Sequence, residues 1–184
     1  TSDAQREVRD GDVLRVACNL EQLENSVRLV GNVFQPGIYQ WSPGMRITDL
    51  LARPELVKPM SDLGYVLIRR ELAPNVATQV LSTDLESAWR RADDAANVPL
   101  EPRDTVYVFN IETGRDQYIV PLLNELEAQA APNTPLPVVR IGGQVRAAGR
   151  YPLETGMRVS DLLRAGGGLG EAAYGSNAEL AGYA

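Results

Sequence analysis

The sequence predicts an α+β protein assembled from small repeated units, and three observations predict it. First, the chain aligns with itself at an offset of 112: Val27-Arg28-Leu29-Val30-Gly31-Asn32-Val33 falls on Val139-Arg140-Ile141-Gly142-Gly143-Gln144-Val145, and the match runs to Leu51 and Leu163 without a gap. Twelve of the 25 positions from 27 to 51 are identical, where ordinary residue frequencies would give roughly one or two. Second, each copy reads strand, turn, strand, turn, helix. Third, the stretch between the copies alternates further strand and helix signals within about 85 residues, a layout in which one helix crosses one face of a mixed sheet.

The elements follow in order. Val27, Leu29 and the residues beyond Gly31 form a β-rich run, and Phe34-Gln35-Pro36-Gly37 is a turn in which Pro sets φ and Gly permits a positive φ. Ile38 to Trp41 alternates and puts Tyr39 and Trp41 on one face, as Arg150 to Leu153 does for Tyr151 and Leu153, so each copy is expected to be a β-hairpin. A second turn at Pro43-Gly44, or Thr155-Gly156, leads to Thr48-Asp49-Leu50-Leu51 and Ser160-Asp161-Leu162-Leu163. There the hydroxyl residue is expected to cap a helix, the Asp to sit at its positive end, and the leucines to face the core. Tyr65 to Arg69 and Val76 to Leu81 read as strands, Ser82 to Ala92 as a helix capped near Ser82 or Thr83, and Thr105 to Phe109 as a closing strand. Arg115 to Gln129 is a candidate joining helix, with Pro121 expected in its first turn or at a kink. Ala131-Pro132-Asn133-Thr134-Pro135-Leu136-Pro137 reads as a stiff linker.

A further echo places Val8-Arg9-Asp10-Gly11-Asp12-Val13-Leu14-Arg15-Val16 over Leu100-Glu101-Pro102-Arg103-Asp104-Thr105-Val106-Tyr107-Val108. The expected organisation is therefore the closing strand of a preceding unit over 1–18, a complete unit over 26–110, a helical connector and Pro-rich linker over 111–137, and the first half of a further unit over 138–184. The natural protein is expected to extend beyond both ends.

Composition narrows the chemistry. The chain has 184 residues, 24 acids against 18 bases and no His. The net charge of −6 and the absence of a basic stripe point away from nucleic acid. No near-apolar stretch approaches the roughly 20 residues of a spanning helix. Without His, and with Cys18 alone, there is no Ser/His/Asp or Cys/His arrangement and no His/Cys metal cluster. Carboxylates, Tyr and Lys58 are what an enzyme could use here. Glu101 and Asp104 could be posed as paired glycosidase carboxylates, but their repeat equivalents are Arg9 and Asp12, so Asp104 reads as a turn residue before a strand. Asp93-Asp94 near Asp84 and Glu86 lacks calcium-loop spacing and reads as a solvated helix end. Gly168-Leu169-Gly170-Glu171-Ala172-Ala173 fits a loose dinucleotide pattern but follows a helix rather than a strand, so it reads as a glycine-rich helix exit. No cofactor or metal is expected.

The pattern Val27-x-x-x-Gly31-x-Val33-x-x-Pro36-Gly37-x-Tyr39, then Gly44 and Asp49-Leu50-Leu51, resembles the soluble-ligand-binding β-grasp (SLBB) module. Leu162-Leu163-x-Ala165-Gly166-Gly167-Gly168-Leu169 and Ala173-Tyr174 continue the resemblance. With the two copies in tandem and the stretch from Arg115 through Pro121-Leu122-Leu123 to Leu126, the chain resembles the polysaccharide biosynthesis/export family of outer-membrane proteins. That resemblance implies β-grasp modules in tandem, joined by a helix and a Pro-rich linker. It further implies a periplasmic, non-enzymatic role in ring layers of a homo-oligomeric channel for capsule or exopolysaccharide. The implied partners are the polysaccharide and an inner-membrane co-polymerase, with membrane contact only through regions outside this chain. The alternative is a small-ligand module for a cobalamin-like compound or a sugar. Ala52-Arg53-Pro54-Glu55-Leu56 replaces the Ala-Gly-Gly run in the first copy, so its helix exit is expected to differ, and Gly182 stands where the family often has a basic residue.

Tyr39, Trp41 and Tyr151 are the sugar-stacking candidates, although in-phase aromatics on a hairpin also suit a core. Arg46 and Arg158 recur at one repeat position and could meet anionic sugars or simply form solvated ion pairs.

Overall fold

A computed structural model describes residues 24–72, 77–91, 95–130, 136–173 and 179–180. The expected closing strand over 1–18, Cys18, Asp93-Asp94, most of the Pro-rich linker and Gly182 lie outside the described residues.

Seven strands and four helices are described: β1 Ser26–Gly31, β2 Gly37–Gln40, α1 Ile47–Leu50, a 3₁₀ turn Pro54–Leu56, β3 Ser61–Leu72, β4 Ala77–Thr83, α2 Leu85–Arg90, β5 Thr105–Asn110, α3 Asp116–Gln129, β6 Val138–Ile141, β7 Gly149–Pro152 and α4 Val159–Ala165. The first five strands form one sheet in the order β2-β1-β5-β3-β4, and β6 pairs with β7. Within the large sheet β1 and β5 run parallel, from Arg28 opposite Thr105 to Gly31 opposite Val108, while the other pairings are antiparallel. This is the β-grasp arrangement: a mixed sheet with a parallel central pair, crossed by helices. The α+β expectation is met.

Alternation along the central strands builds two cores. Val66, Ile68, Val106 and Val108 join Val27, Leu29, Ile47, Leu51 and Leu85 on one face. Tyr65, Leu67 and Phe109 join Ile119, Leu122, Leu123, Leu126, Tyr151 and Ala165 on the other. Tyr65, Val66, Leu67 and Ile68 are each 0 % exposed, because β3 is covered on both faces, which is why it reads as a continuous apolar run rather than an alternating one. The helix joining the two halves is thus also a core element. Pro121 lies at its sixth residue, past the first turn, so the Gln117 carbonyl forgoes its i→i+4 partner.

The second copy repeats the hairpin register and several turn bonds of the first. Val27 pairs with Tyr39 and Val139 with Tyr151, and the isolated bridges Val33–Val57 and Val145–Leu169 correspond. Phe34 N–H donates to Leu56 O at 3.2 Å, as Arg146 does to Gly168; Lys58 donates to Asn32 at 3.0 Å, as Gly170 does to Gln144 at 2.8 Å. The helix exits differ, as expected from Ala52–Leu56. The first copy leaves through the 3₁₀ turn, the second through Gly167 and Gly168 at φ 74° and 81°, and the two converge again at Val57 and Leu169.

Three local readings are corrected. The left-handed residue of each hairpin is Gly31 or Gly143, at φ 101° and 85°, not Gly37 or Gly149, which begin β2 and β7. Thr48 and Ser160 are not helix caps. The cap positions are Arg46 and Arg158, whose N–H groups donate to Asp49 Oδ2 at 2.7 Å and Asp161 Oδ2 at 2.9 Å; Thr48 instead donates to Asn97 Oδ1. Helix α2 starts after Asp84, whose carboxylate accepts from Ser87 N–H at 3.0 Å, because Ser82 and Thr83 still belong to β4.

Asp104 is more than a turn residue. It is 0 % exposed, takes Arg70 Nε at 3.0 Å and Nη2 at 2.7 Å, and accepts the Glu101 N–H at 2.8 Å. Arg70 also reaches the Pro99 carbonyl and Glu101. The fork pins the segment before β5 to β3. By contrast the Arg90–Glu86 pair is largely exposed and is worth about 0.3–0.5 kcal/mol. Asp104→Ala leaves the Arg70 charge buried without its partner, and urea unfolding is expected to show a loss of about 3–5 kcal/mol; Glu86→Ala is expected to change stability by under about 0.5 kcal/mol.

Candidate functional site

The two copies meet across the outer face of the large sheet. Tyr65 on β3 stacks on Phe109 with ring centroids 5.8 Å apart and meets Tyr151 of β7 edge-on at 6.0 Å. Arg115, at the start of α3, lies over Phe109 at 5.1 Å and Tyr65 at 5.8 Å. Its Nη2 donates to Asp62 Oδ2 at 2.5 Å and its Nη1 to the Ala165 carbonyl at the end of α4. From α4, Arg164 donates to the Gly64 carbonyl at 3.0 Å and to Ser82 Oγ at 2.9 Å. Two arginines therefore tie the second copy to β3 and β4.

A carboxylate completes this junction. Glu154, in the turn after β7, accepts the Ser82 N–H through Oε2 at 2.7 Å. Its Oε1 and the Tyr65 hydroxyl are buried without a hydrogen-bond partner among the described residues. Burial holds the Glu154 carboxyl above its ordinary range, partly offset by the Ser82 hydrogen bonds and the Arg164 charge. Burial, reinforced by the nearby Glu154 charge, raises the Tyr65 phenol.

The sequence candidates fall in several places. Tyr151 is buried at the junction, and its hydroxyl donates to the Ala147 carbonyl at 2.8 Å. Tyr39 makes the equivalent bond to Gln35 at 2.5 Å; it and Trp41 pack half-buried at the edge of the first core, and the Trp41 indole N–H donates to Leu100 O at 2.7 Å. Arg46 and Arg158 are exposed residues at the helix caps, with the Arg46 guanidinium donating to the Asn97 carbonyl at 2.6 Å. These five side chains do not converge on one cavity. Among the described residues no three His, Cys, Asp or Glu side chains group as metal ligands.

Sequence reasoning missed the open surface of the first copy. A shallow groove of about 530 Å³ is lined by Phe34, Pro54, Val57, Lys58, Met60 and Leu63. Phe34 is 58 % exposed and Met60 49 %, and Met60 is held at φ 63°, a conformation rare for a residue with a long side chain. Asn32 braces the floor by donating to the Pro59 carbonyl at 3.0 Å and Ser61 Oγ at 2.9 Å. The signal in sequence was the departure itself: where the second copy has glycines, the first has Pro54, Glu55 and Leu56. A smaller polar depression of about 220 Å³ lies at the junction, between Asn110, Thr113, Arg115 and Asp116 on one side and Arg146 on the other. An exposed aromatic ring beside Lys58 and Glu55 can hold a polar ligand with a flat apolar face.

Comparison with known proteins returns the SLBB domain, whose family model matches residues 26–54 and 138–182. SLBB is a ligand-binding rather than a catalytic domain, and it occurs in polysaccharide export proteins. The matched segments are the two hairpin-and-helix scaffolds described above. No curated protein matches the chain.

A charge effect at the junction is testable. Because the folded Glu154 carboxyl binds its proton more tightly than the unfolded one, its contribution to stability is complete below the ordinary value of 4.5 and is lost as pH rises through the raised value. Glu154→Gln keeps an oxygen acceptor for Ser82 N–H and removes the charge. Thermal unfolding is expected to show the variant more stable than the parent at neutral pH, with the gap closing as pH falls toward 4. An unchanged gap across that range would remove the charge from the account.

Proposed function

We propose that this chain is a non-enzymatic, periplasmic segment of an outer-membrane polysaccharide export protein. In this reading its SLBB units stand in tandem, build the ring layers of a homo-oligomer, contact capsule or exopolysaccharide in transit and face an inner-membrane polysaccharide co-polymerase. The observation that carries the reading is the match of both scaffold segments to the SLBB domain, supported by the docking of the second copy on β3 and β4 through Arg115 and Arg164. Stacked layers need modules with fixed mutual orientation, and a shared core with two arginine ties supplies that. The glycan-facing candidates are Tyr39, Trp41, Arg46 and Arg158, whereas Tyr151 is buried in the second core.

Deleting the parent gene tests this role. The expected outcome is loss of surface polysaccharide with polymer retained in the periplasm; unchanged surface polymer overturns the export reading.

One observation favours the second reading, a small-ligand module for a sugar or a cobalamin-like compound: the groove with the exposed Phe34 ring. Calorimetry against an oligosaccharide and cobalamin panel is then expected to show saturable binding that Phe34→Ala weakens by about 0.5–1.5 kcal/mol. Absence of saturable binding across the panel removes this reading.

A further inference from the structure

The two hairpins share a register but not an outer surface. Arg28 lies opposite Ile38 in the first copy, and the corresponding pair in the second is Arg140 opposite Arg150. Residues directly opposite on antiparallel strands project from one face with Cβ atoms about 4.5–5.5 Å apart, and like charges placed so oppose folding. At the next positions of the same alternation, Val30 and Pro36 of the first copy give way to Gly142 and Ala148. An apolar strip has become a flat floor beside two guanidinium groups. Arg140, Gly142, Ala148 and Arg150 are all exposed, and a Cβ on Gly142 would meet nothing within 4 Å.

This face is open for a reason independent of the sheet edge. In the first unit β5, β3 and β4 stand beside β1, and there too Arg28 is exposed and Ile38 is 53 % exposed. The charges on the second hairpin are unevenly matched. Arg150 donates to the Glu127 carboxylate of α3, whereas Arg140 has no hydrogen bond or ion pair among the described residues. The chain segments 131–135 and 174–178 contain no acidic residue. One carboxylate therefore answers two guanidinium groups, unlike the buried Arg70 and Arg115, which each hold a carboxylate of their own.

We infer that the outer face of β6 and β7 binds an acidic glycan, with the carboxylate of a uronic acid residue held between Arg140 and Arg150 and the sugar ring lying over Gly142 and Ala148. The choice of a glycan rests on the export reading; its negative charge and its place on this face come from the structure. A guanidinium presents paired N–H donors that match a carboxylate. Neighbouring strands lie about 4.8 Å apart, so both forks reach one anion, and that anion relieves the repulsion between them. A ring needs a surface free of projecting side chains, which Gly142 and Ala148 provide and Val30 with Pro36 does not.

The probes are a galacturonic acid trimer and its uncharged methyl ester, each titrated into the full chain at low salt while arginine Nε–H and backbone amides are followed by nuclear magnetic resonance. Expected are saturable shifts centred on Arg140 and Arg150 with the acid, weakening as salt is added, and none with the ester. Arg150→Ile restores the residue pairing of the first copy, so the hairpin is expected to persist. That variant and Arg140→Gln are each expected to weaken binding by roughly threefold to fivefold, and Arg28→Gln to leave it unchanged. The proposal is overturned if the acid gives no saturable shift at these two arginines, if the ester binds as tightly, or if binding survives both variants intact. It is equally overturned if sulfate or a glutamate trimer binds there as tightly as the sugar acid, which would mark an adventitious ion only or an acidic peptide site. None of these failures bears on export, which the gene deletion decides separately: unchanged surface polymer removes the export reading while leaving a measured uronate site in place.

Discussion

Strand β3 is the constraint on which the rest of this structure depends. Both of its faces are buried, so each residue from Tyr65 to Ile68 must satisfy a core, and the two cores face opposite ways. Val66 and Ile68 close the first unit around α1 and α2. Tyr65 and Leu67 receive α3, β7 and α4. A one-residue slip of β3 against β5 would exchange those sets, placing two aromatic-facing positions in an aliphatic core and the reverse. Register is therefore fixed twice over, and the orientation of the second copy is fixed with it.

Polar ties sharpen what apolar burial begins. Arg70 and Asp104 hold the approach to β5 from within the first unit. Arg115 and Arg164 hold the second copy from outside, each satisfying main-chain carbonyls as well as side chains. Arginine suits this work because its planar fork meets several acceptors at once while its face lies on an aromatic ring, as Arg115 does on Phe109. The single lysine lies instead on the rim of the open groove. Glu154 is the costly member of the set, a half-buried carboxylate with one oxygen partnered and its buried Oε1 without a partner among the described residues.

The repeat gives the protein a reusable element with two kinds of edge. In the first copy the outer edge of the hairpin is occupied by β5 and the turn side is open, with Phe34 and Met60 around the groove. In the second copy the turn side meets Asn110 to Asp116, and among the described residues no further strand pairs with the hairpin. One hydrogen-bonded scaffold thus presents different surfaces according to which side its surroundings leave uncovered.

The sequence by itself determined the local architecture. The 112-residue offset predicted hairpins that agree residue for residue, because period-two alternation around a fixed turn leaves little freedom in register. The α+β class, the closing strand at Thr105, the joining helix to Gln129 and the differing helix exit of the first copy were all legible for the same reason: each rests on neighbours in the chain. Helix caps at Arg46 and Asp84 were misplaced by one or two residues, since several polar residues in a row can compete for the same amides. Only the tertiary structure decided that β3 is buried on both faces, that Asp104 is locked to Arg70, and that Tyr151 lies beneath Tyr65 rather than on a surface. It also decided that the Phe34 ring in the hairpin turn is exposed. Those outcomes depend on which segments distant in sequence come together, and the second core is made from β3, β5, α3 and the repeat hairpin, none of which carries in its own residues a mark of what will cover it.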